Sequence, residues 1–534
     1  MGSFFVGVDV GTGSARAGIF DTNGVMVSTA KRDIALYREG ADIAEQSSND
    51  IWRAVCASVR EVLDAAGLSG EDIGGIGFDA TCSLVVLGEG GRPLPVGTSG
   101  DPERNIIVWM DHRALDQTRR INKTGHAVLK YVGGTISPEM ETPKLLWLKE
   151  NLPQTYGTAW QFFDLADFLT WRSTGSLARS VCTVTCKWTY LAHERRWDET
   201  YFREIGLADL ADDGFVRIGT EIVEAGSALA DGLTIEAAEE LGLRPGTPVA
   251  AGLIDAHAGG VDSTGGAGGQ GSVLTRMAYV FGTSACTMAS SGEPLFVPGV
   301  WGPYYSAMVP GLWLSEGGQS AAGAAIDHLV AFHPAASDAR HRATAAGMSL
   351  PEWLAEEAGK AAPSSSEAAR LAGSIHVVPD FLGNRSPFAD PDARGLIAGL
   401  GLESDIPNLV SLYVAGILGL GYGLRQIIAA SRGCGATIEA ITLSGGAGRH
   451  PLIRQLLADS TGVPILVSRE SEPVLLGSAM LGAVAGKAYP SVEAAMAAMS
   501  AISAEFKPAG GEIAAQHERR FAVFQALQAT ARAL

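Results

Sequence analysis

The stretch Asp9-Val10-Gly11-Thr12-Gly13-Ser14-Ala15-Arg16 decides the fold prediction for the first half of the chain. The apolar residues before it predict a strand, its Gly, Thr and Ser residues predict a tight turn, and residues 15–21 predict a second strand. Asn23-Gly24 is a strong hairpin signal, so the chain is predicted to open as an antiparallel meander. An Asp at a strand end beside small hydroxyl and glycine residues suits a metal–phosphate site. The alternative is an ordinary hairpin with an Asp at its base.

A second strand–turn–strand unit occurs after the middle of the chain. Residues 277–281 and 285–289 are predicted strands, and Gly282-Thr283-Ser284 is the turn between them. This unit repeats the pattern of the opening segment. The repetition predicts two related halves, each beginning with a hairpin of the size that binds a phosphate group.

Length and composition indicate a large soluble enzyme. With 534 residues, the chain is too long for a single hydrophobic core. It is 46% hydrophobic and 18% charged, which is typical of a soluble α/β enzyme. The Gly-rich stretch 263–271 is the most linker-like segment of the sequence. We therefore predict two domains, residues 1–268 and 269–534.

The charge and the chain start argue against several classes of partner and location. A formal net charge of −18 repels nucleic acid and anionic membranes, so neither is an expected partner. The first residues lack the basic segment of a signal peptide, and no uninterrupted apolar stretch is expected to cross a bilayer. The six Cys residues have no zinc-ribbon spacing and are expected to be free buried thiols. A cytoplasmic location is expected.

Two Asp residues follow predicted buried strands. Asp79 comes after the strand 73–78, and Asp255 comes after the strand 248–254. Open α/β sheets bind ligands at the carboxyl ends of their strands. Asp255 could therefore accept a proton from a hydroxyl group, and Asp79 could bind a polyhydroxy ligand. The alternatives are a helix N-cap for Asp255 and a turn-closing residue for Asp79.

Three further segments carry polar groups suited to binding. Lys187 lies among small and apolar residues, where it is either a ligand-binding cation or a surface lysine with a buried stem. A helix is predicted to begin at the segment Glu316-Gly317-Gly318-Gln319-Ser320. This segment either contacts a ligand or only caps the helix. Residues 444–451 join a predicted strand to a predicted helix. Their glycines would allow close approach of a flat ring, or would only form a turn with positive φ.

Together these segments resemble the FGGY carbohydrate kinase family. The resemblance covers essentially the whole chain and rests on the joint order of residues 9–16, 45–46, 79–83, 109–114, 252–256, 281–284, 316–320 and 445–451. Within the family, the chain is most similar to the D-ribulokinase-type pentulose kinases through residues 7–16, 78–84, 381–387 and 472–477. The resemblance implies an α/β fold of two actin-like (ribonuclease-H-like, ASKHA) domains, with ATP and a sugar in the cleft between them.

The resemblance also implies roles for individual residues. It implies that Asp255 is the catalytic base and that Asp9 and Asp255 place Mg²⁺. The residues implied to face the ATP phosphates are Gly11, Thr12, Ser14, Arg16, Gly282 and Thr283. Those implied to border the adenosine are Gly323, Gly446, Ala447 and His450, and many relatives carry Asn in place of His450. Those implied to line the sugar are Asp79, Thr81, Cys82, Lys187, Glu316 and Asp255.

The activity implied by the resemblance is ATP-dependent phosphorylation of the terminal hydroxyl of a pentulose. D-Ribulose is the favoured substrate, with D-ribulose 5-phosphate as product. Other ketoses or polyols (L-ribulose, xylulose, ribitol) stay open as substrates, because fold kinship does not fix the hydrogen bonds that select a sugar. An actin- or chaperone-like ATPase module and a non-catalytic sugar sensor stay open as rival functions. A homodimer is expected only from the general frequency of symmetric oligomers.

Overall fold

The structure is a computed structural model that describes residues 2–40 and 42–533. Met1 and Leu534, the outer ends of the two predicted domains, lie outside the described residues, as does Ala41. The strands are β1 (Phe4–Val10), β2 (Ser14–Asp21), β3 (Met26–Asp33), β4 (Tyr37–Glu39), β5 (Ile43–Gln46), β6 (Ile73–Ala80), β7 (Leu84–Leu87), β8 (Ile106–Ile107), β9 (Gln161–Asp164), β10 (Arg179–Ser180), β11 (Ile222–Val223), β12 (Leu253–Ile254), β13 (Arg276–Phe281), β14 (Ala285–Ser291), β15 (Trp301–Tyr305), β16 (Trp313–Gln319), β17 (His376–Val378), β18 (Leu396–Ala398), β19 (Ala440–Ser444), β20 (Ile465–Ser468) and β21 (Ile502–Phe506).

The α-helices connect and cover these strands. They are α1 (Ser48–Ala66), α2 (Leu115–Thr124), α3 (Glu141–Asn151), α4 (Pro153–Thr158), α5 (Leu165–Thr174), α6 (Val181–Trp188), α7 (Glu199–Glu204), α8 (Ala208–Asp212), α9 (Ile235–Leu241), α10 (Asp255–Gly265), α11 (Gly323–Ala331), α12 (Ala336–Ala345), α13 (Leu350–Ala361), α14 (Ile406–Gly433), α15 (Pro451–Thr461), α16 (Pro473–Ala485), α17 (Val492–Met499) and α18 (Gly511–Ala531).

The first half is built on a five-stranded sheet in the order β12-β6-β1-β2-β3. Strands β1, β2 and β3 are antiparallel neighbours, whereas β1, β6 and β12 run parallel. The β2–β3 hairpin turns at Asn23-Gly24, where Gly24 has φ 72°, in the left-handed region that glycine adopts at little cost. The predicted opening meander is confirmed.

The second half repeats this sheet. Its seven-stranded sheet has the order β15-β16-β14-β13-β19-β20-β21, and the five central strands match the order and directions of the first sheet. In each half, one short Gly-containing turn joins the first two strands. The N–H of Gly11 donates to the Ser14 carbonyl at 3.0 Å, and the N–H of Gly282 donates to the Ser284 carbonyl at 2.9 Å. The predicted relation between the halves is therefore present as a duplicated topology.

Helix α16 belongs to the second half in sequence but packs on the first sheet. It contacts β1 and β6, and two glycines permit the close approach. A Cβ atom on Gly7 would lie 2.0 Å from the Leu475 carbonyl oxygen, and one on Gly77 would lie 2.0 Å from the Ser478 carbonyl oxygen. The boundary predicted at 268/269 falls in the connection between α10 and β13 and stays a prediction. Helix α16 therefore links the two halves across this predicted boundary.

The structure corrects three local predictions. Glu316–Ser320 does not open a helix, because Glu316 lies inside β16 and the following helix begins at Gly323. The strand predicted over 248–254 is regular only at Leu253–Ile254. The prediction that no apolar stretch could cross a bilayer is also wrong by length and composition, since the 28-residue helix α14 contains an 18-residue window with a mean hydropathy of 1.4. Its apolar window is 72% buried within the protein, so the core of the second half accounts for its hydropathy.

Candidate active site

Two cavities lie on either side of the turn between β13 and β14. The inner cavity, of about 510 Å³, lies between the two sheets and is lined by residues of both halves, from Asp9 to Val474. The outer groove, of about 470 Å³, is lined only by residues of the second half, from Phe281 to Ile453. Ser284 lines the inner cavity and Phe281 lines the outer groove, so the turn 282–284 stands between the two.

The structure brings most of the predicted site residues to these two cavities. The inner cavity contains Asp9, Gly11, Thr12, Ser14, Arg16, Thr81, Cys82, Lys187, Asp255 and Glu316. The outer groove contains Gly323, Gly446, Ala447 and His450. Gly282 and Thr283 form the turn between the cavities. Asp79 lines neither cavity.

The position of Asp79 differs from the prediction that this residue lines the sugar. It lies in β6 beside Asp9 of β1, and none of its surface is exposed. The Ser478 hydroxyl of α16 donates to its Oδ2 at 2.5 Å. Burial and the nearby Asp9 raise the pKa of Asp79 well above its ordinary value, despite this hydrogen bond. Asp79 is therefore part of the buried support beneath the cavity, between the first sheet and α16.

Asp255 is the first residue of α10 and follows β12 directly. The N-cap position is Ile254, without a side-chain capping bond, so the N-cap alternative for Asp255 does not hold. The N–H of Ala256 donates to Asp255 Oδ1 at 2.7 Å, which orients the carboxylate in the inner cavity. Burial and the charge of Asp9 raise the pKa of Asp255 to about 6. A carboxylate with this pKa is ionised at neutral pH and can accept a proton.

Asp9 shares its carboxylate with an arginine. Arg16 Nε donates to Asp9 Oδ2 at 2.8 Å, and Arg16 Nη1 pairs with Glu472 Oε2 at 2.6 Å. Glu472 directly precedes α16, so the arginine links the first sheet to the second half of the sequence. Asp9 and Asp255 are oxygen donors in one cavity, which is the ligand type that Mg²⁺ prefers.

Glu316 is held by two cations, Arg385 and Lys187, and by the imidazole of His257. Its Oε1 accepts a hydrogen bond from Arg385 Nη2 at 3.2 Å, and its Oε2 lies 3.3 Å from His257 Nε2. Burial opposes the ionisation of Glu316, but the charge of Lys187 and the hydrogen bond from His257 hold its pKa well below the usual range. Glu316 is therefore an ionised acceptor at the wall of the inner cavity.

Lys187 is buried rather than superficial, with 3% of its surface exposed. The surface-lysine alternative is therefore wrong. Burial lowers the pKa of Lys187, but the nearby Cys82 and Glu316 raise it by a larger amount. The net shift of this pKa is upward, so the side chain is a cation. Lys187 Nζ lies 4.7 Å and Arg385 Cζ lies 4.3 Å from the centre of the Trp301 ring. Both cations thus border one aromatic wall.

The turn 11–13 is braced by side chains of the first half. Trp109 Nε1 donates to the Thr12 hydroxyl at 2.9 Å, and Gln46 Nε2 donates to the Thr12 carbonyl at 2.8 Å. Both residues belong to segments that support the family resemblance. The turn 282–284 is braced by the backbone of α11, because the N–H of Gly323 donates to the Gly282 carbonyl at 2.9 Å.

The outer groove is shaped mainly by glycine and apolar residues. A Cβ atom at Gly323 would lie 2.8 Å from the Gly282 carbonyl oxygen, so glycine allows α11 to begin against the turn. His450 is the N-cap of α15, and its Nδ1 accepts a hydrogen bond from the Leu452 N–H at 3.2 Å. Asn caps helices in the same way, so an Asn at this position would keep the N-cap of α15.

The sequence patterns assigned no role to three residues that line the inner cavity, Arg385, Trp301 and Glu139, or to His257, which is buried beside it. Arg385 lies in the stretch 381–387, which signalled the resemblance without indicating a contact. His257 stands two residues after Asp255, in a segment that was already noted. Trp301 and Glu139 also line the inner cavity but have no local pattern that could have identified them.

Comparison with known proteins gives consistent matches over most of the chain. Residues 4–261 match the N-terminal domain, and residues 277–486 match the C-terminal domain, of the FGGY family of carbohydrate kinases. A human FGGY carbohydrate kinase domain-containing protein is 48% identical over 510 residues, covering 93% of this chain and 91% of the human protein. A D-ribulokinase of Saccharomyces cerevisiae is 40% identical over 517 residues, covering 91% of this chain and 72% of the yeast protein. The solved xylulose kinase of Rhodospirillum rubrum has a TM-score of 0.80 at 21% identity, over 99% of this chain and 98% of that one, which bears on the fold alone.

Proposed function

Because the chain belongs to the FGGY family of carbohydrate kinases, and is therefore a sugar-kinase phosphotransferase with the two-domain fold of that family, we propose that it converts D-ribulose and ATP into D-ribulose 5-phosphate and ADP. The similarity to the yeast protein named D-ribulokinase supports D-ribulose as the substrate. Xylulose, L-ribulose and ribitol are the competing acceptors.

The position of the turn 282–284 is the observation that carries this proposal. It stands between an outer groove with apolar walls and an inner cavity with a carboxylate base. A nucleotide with its adenosine in the groove would pass its phosphates over this turn toward Asp255. Backbone N–H groups of a Gly-containing turn approach phosphate oxygens closely, and they would stabilise charge on the transferred group.

Asp255 acts as the base in this mechanism. It accepts the proton of the terminal hydroxyl as that oxygen attacks the γ-phosphorus. Phosphoryl transfer through a loose transition state does not require a strong base, so a carboxylate with a pKa of about 6 is adequate. The hydrogen bond from the Ala256 N–H fixes Oδ1 and leaves Oδ2 for the hydroxyl.

The carboxylates of Asp9 and Asp255 would hold a magnesium ion. Mg²⁺, when bound, supplies charge neutralisation at the phosphate oxygens. Arg16 keeps Asp9 oriented toward the cavity, and the braced turn 11–13 holds Thr12 and Ser14 beside it. These residues exclude bulk water and fix the distance between the acceptor alcohol and the phosphate chain.

The sugar would lie against the charged wall of the inner cavity. Lys187 and Arg385 line this wall and would donate hydrogen bonds to sugar oxygens, and ionised Glu316 would accept from sugar hydroxyls. Buried charged partners of this kind discriminate strongly against a substrate that lacks the matching hydroxyl. On this proposal, the charged wall would provide the specificity for one pentulose.

A substrate panel tests the proposal. ADP release is measured with D-ribulose, L-ribulose, D-xylulose, ribitol, glycerol and gluconate at equal ATP. We expect kcat/KM for D-ribulose to exceed that for every other acceptor by at least about tenfold, as a site built for hydrogen bonding permits. A higher value for another acceptor would replace D-ribulose as the substrate. ATP hydrolysis that is indifferent to all acceptors would overturn the kinase assignment in favour of an ATPase module.

A further inference from the structure

A buried cluster of two thiols and an imidazole lies beside the inner cavity. Cys182 and Cys186 stand one helical turn apart on α6, and His257 stands on α10. None of the three residues has any exposed surface. One ligand atom from each residue can be chosen so that all three atoms lie within 4.8 Å of one another. Neither thiol takes part in the mechanism derived above.

We propose that Cys182 Sγ, Cys186 Sγ and His257 Nδ1 form a binding site for a thiophilic divalent cation of the Zn²⁺ class. Thiolate and imidazole are the ligands that zinc prefers, and three protein ligands with one further position is a common zinc arrangement. The site is separate from the magnesium site proposed for phosphoryl transfer, whose donors are carboxylate oxygens.

The spacing of the ligand atoms suits such an ion. Cys182 Sγ lies 3.1 Å from His257 Nδ1. Bond lengths of about 2.3 Å to sulfur and about 2.1 Å to nitrogen, at a tetrahedral angle, require a separation of about 3.6 Å. An outward shift of about half an ångström therefore admits the ion between these two atoms, which side-chain rotation can supply.

The second ring nitrogen of His257 supports the same interpretation. Nε2 lies 3.3 Å from Glu316 Oε2, and an ionised carboxylate can only accept, so Nε2 carries the proton. Nδ1 lies 3.1 Å from the Cys182 sulfur, in hydrogen-bond contact, so it is the ring nitrogen that a metal ion would bind in place of a proton. A carboxylate bonded to the far nitrogen of a ligating histidine is the usual outer partner at zinc sites.

Charge balance favours a dication in this position. Two thiolates, a neutral imidazole and a divalent cation sum to zero, and a neutral complex avoids most of the cost of burying charge. The Ile254 N–H donates to Cys182 Sγ at 3.4 Å, which further supports a thiolate there. Thr185, between the two Cys residues on α6, has a buried hydroxyl with no hydrogen-bond partner among the described residues.

Metal titration of the full-length chain tests the proposal. The protein is reduced, stripped with a chelator and titrated with Co²⁺ alone, and then with competing Zn²⁺. We expect about one equivalent of Co²⁺ to give a thiolate charge-transfer band and tetrahedral d–d bands that Zn²⁺ abolishes. Retention of less than about 0.1 equivalent of Zn²⁺ after gel filtration, or a disulfide between Cys182 and Cys186, would overturn the proposal.

Variants assign the ligands. The double variant C182S/C186S should lose the charge-transfer band, whereas Cys434→Ser, at the end of α14, should keep it. Glu316→Gln should keep the band but weaken Co²⁺ binding by about 10- to 100-fold, as expected for an outer partner of the ligating histidine. Circular dichroism checks that each variant is folded. A charge-transfer band that survives in folded C182S/C186S would place the metal elsewhere and overturn the site. These readouts need no sugar or ATP, so they stand or fall separately from the kinase proposal.

Discussion

The inner cavity and the outer groove are adjacent but are built in different ways. The inner cavity carries charges that compensate one another, such as Asp9 with Arg16 and Glu316 with Arg385. The outer groove has mostly apolar and glycine walls, and its form depends on close backbone approach at Gly323. A reaction that moves charge needs fixed charges, and those stay ionised in a buried place only when they are paired. A groove for a flat ring needs shape rather than charge.

The comparison predicts that chemistry can be lost while nucleotide binding is kept. We expect Asp255→Asn to lower kcat by about 10²–10⁴-fold, because the base can no longer accept the hydroxyl proton. The KM for ATP should stay within about twofold, since Asp255 is absent from the outer groove and Asn keeps an oxygen that can still bind Mg²⁺. Steady-state ADP release with D-ribulose measures both constants. Asp262→Asn, on the same helix, is the matched control, and a loss of less than about tenfold for Asp255→Asn would contradict the assigned role.

Sugar binding should be separable from ATP binding in the same way. We expect Lys187→Met to raise the KM for D-ribulose by about 10- to 100-fold, because a buried charged hydrogen bond is worth about 1.5–3 kcal/mol. The KM for ATP should not change. The control is Lys360→Met, whose side chain is 66% exposed. Parallel increases in both KM values would mean that the two cavities are not independent.

The raised pKa of Asp255 predicts an acidic limit of activity. The base works only when ionised, and its pKa is about 6, so kcat/KM for the sugar should fall as pH decreases through 6. At pH 5 the loss should be about tenfold relative to pH 7.5. The residual activity of Asp255→Asn should not show this fall in kcat/KM at acidic pH. A flat profile between pH 8 and pH 5 in folded enzyme would rule out Asp255 as the titrating base.

In the outer groove, shape should matter more than charge. Gly323→Ala places a Cβ atom 2.8 Å from the Gly282 carbonyl oxygen, so the turn or α11 must shift. We expect the KM for ATP to rise by roughly fivefold, which corresponds to about 1 kcal/mol of overpacking, with the KM for the sugar unchanged. Gly359→Ala, where no atom lies within 4 Å, is the control. Equal behaviour of the two variants would show that the contact at Gly323 does not shape the groove.

The smallest effect is expected at His450. His450→Asn should change the KM for ATP by less than about twofold, because Asn retains the N-cap of α15. His450→Ala should lower the free energy of unfolding by about 1 kcal/mol, since the Leu452 N–H loses its acceptor. Urea denaturation of the three proteins measures this difference. A large rise in KM for His450→Asn would mean that the imidazole itself contacts the nucleotide.

Local sequence patterns predicted the elements that carry these residues. The alternation around Asn23-Gly24 predicted the first hairpin, and the repeated Gly-containing turns predicted two related halves, whose shared strand order the sheets then showed. Strand-end position also drew attention to Asp255. These features depend on neighbours in the chain, and local preferences act at that range.

Contacts between distant segments were beyond such patterns. The prediction for Asp79 rested on the same strand-end argument as Asp255, yet Ser478 of α16 covers it from nearly four hundred residues away. Glu316 was identified as a polar residue, but its strand was mistaken for a helix start because the Gly- and Ala-rich residues after it lack the apolar alternation of a strand. The thiols on α6 lacked a recognisable metal spacing, since His257 reaches them from another helix.

By itself, the sequence determined the family, the relation between two α/β halves and the side chains available for catalysis, because these follow from periodicity, turn residues and motif order. Only the tertiary structure decided which carboxylates face the cavity and which are covered, which cations compensate Glu316, and which thiols meet an imidazole. Ionisation and access depend on three-dimensional neighbours, and packing of remote segments supplies those neighbours.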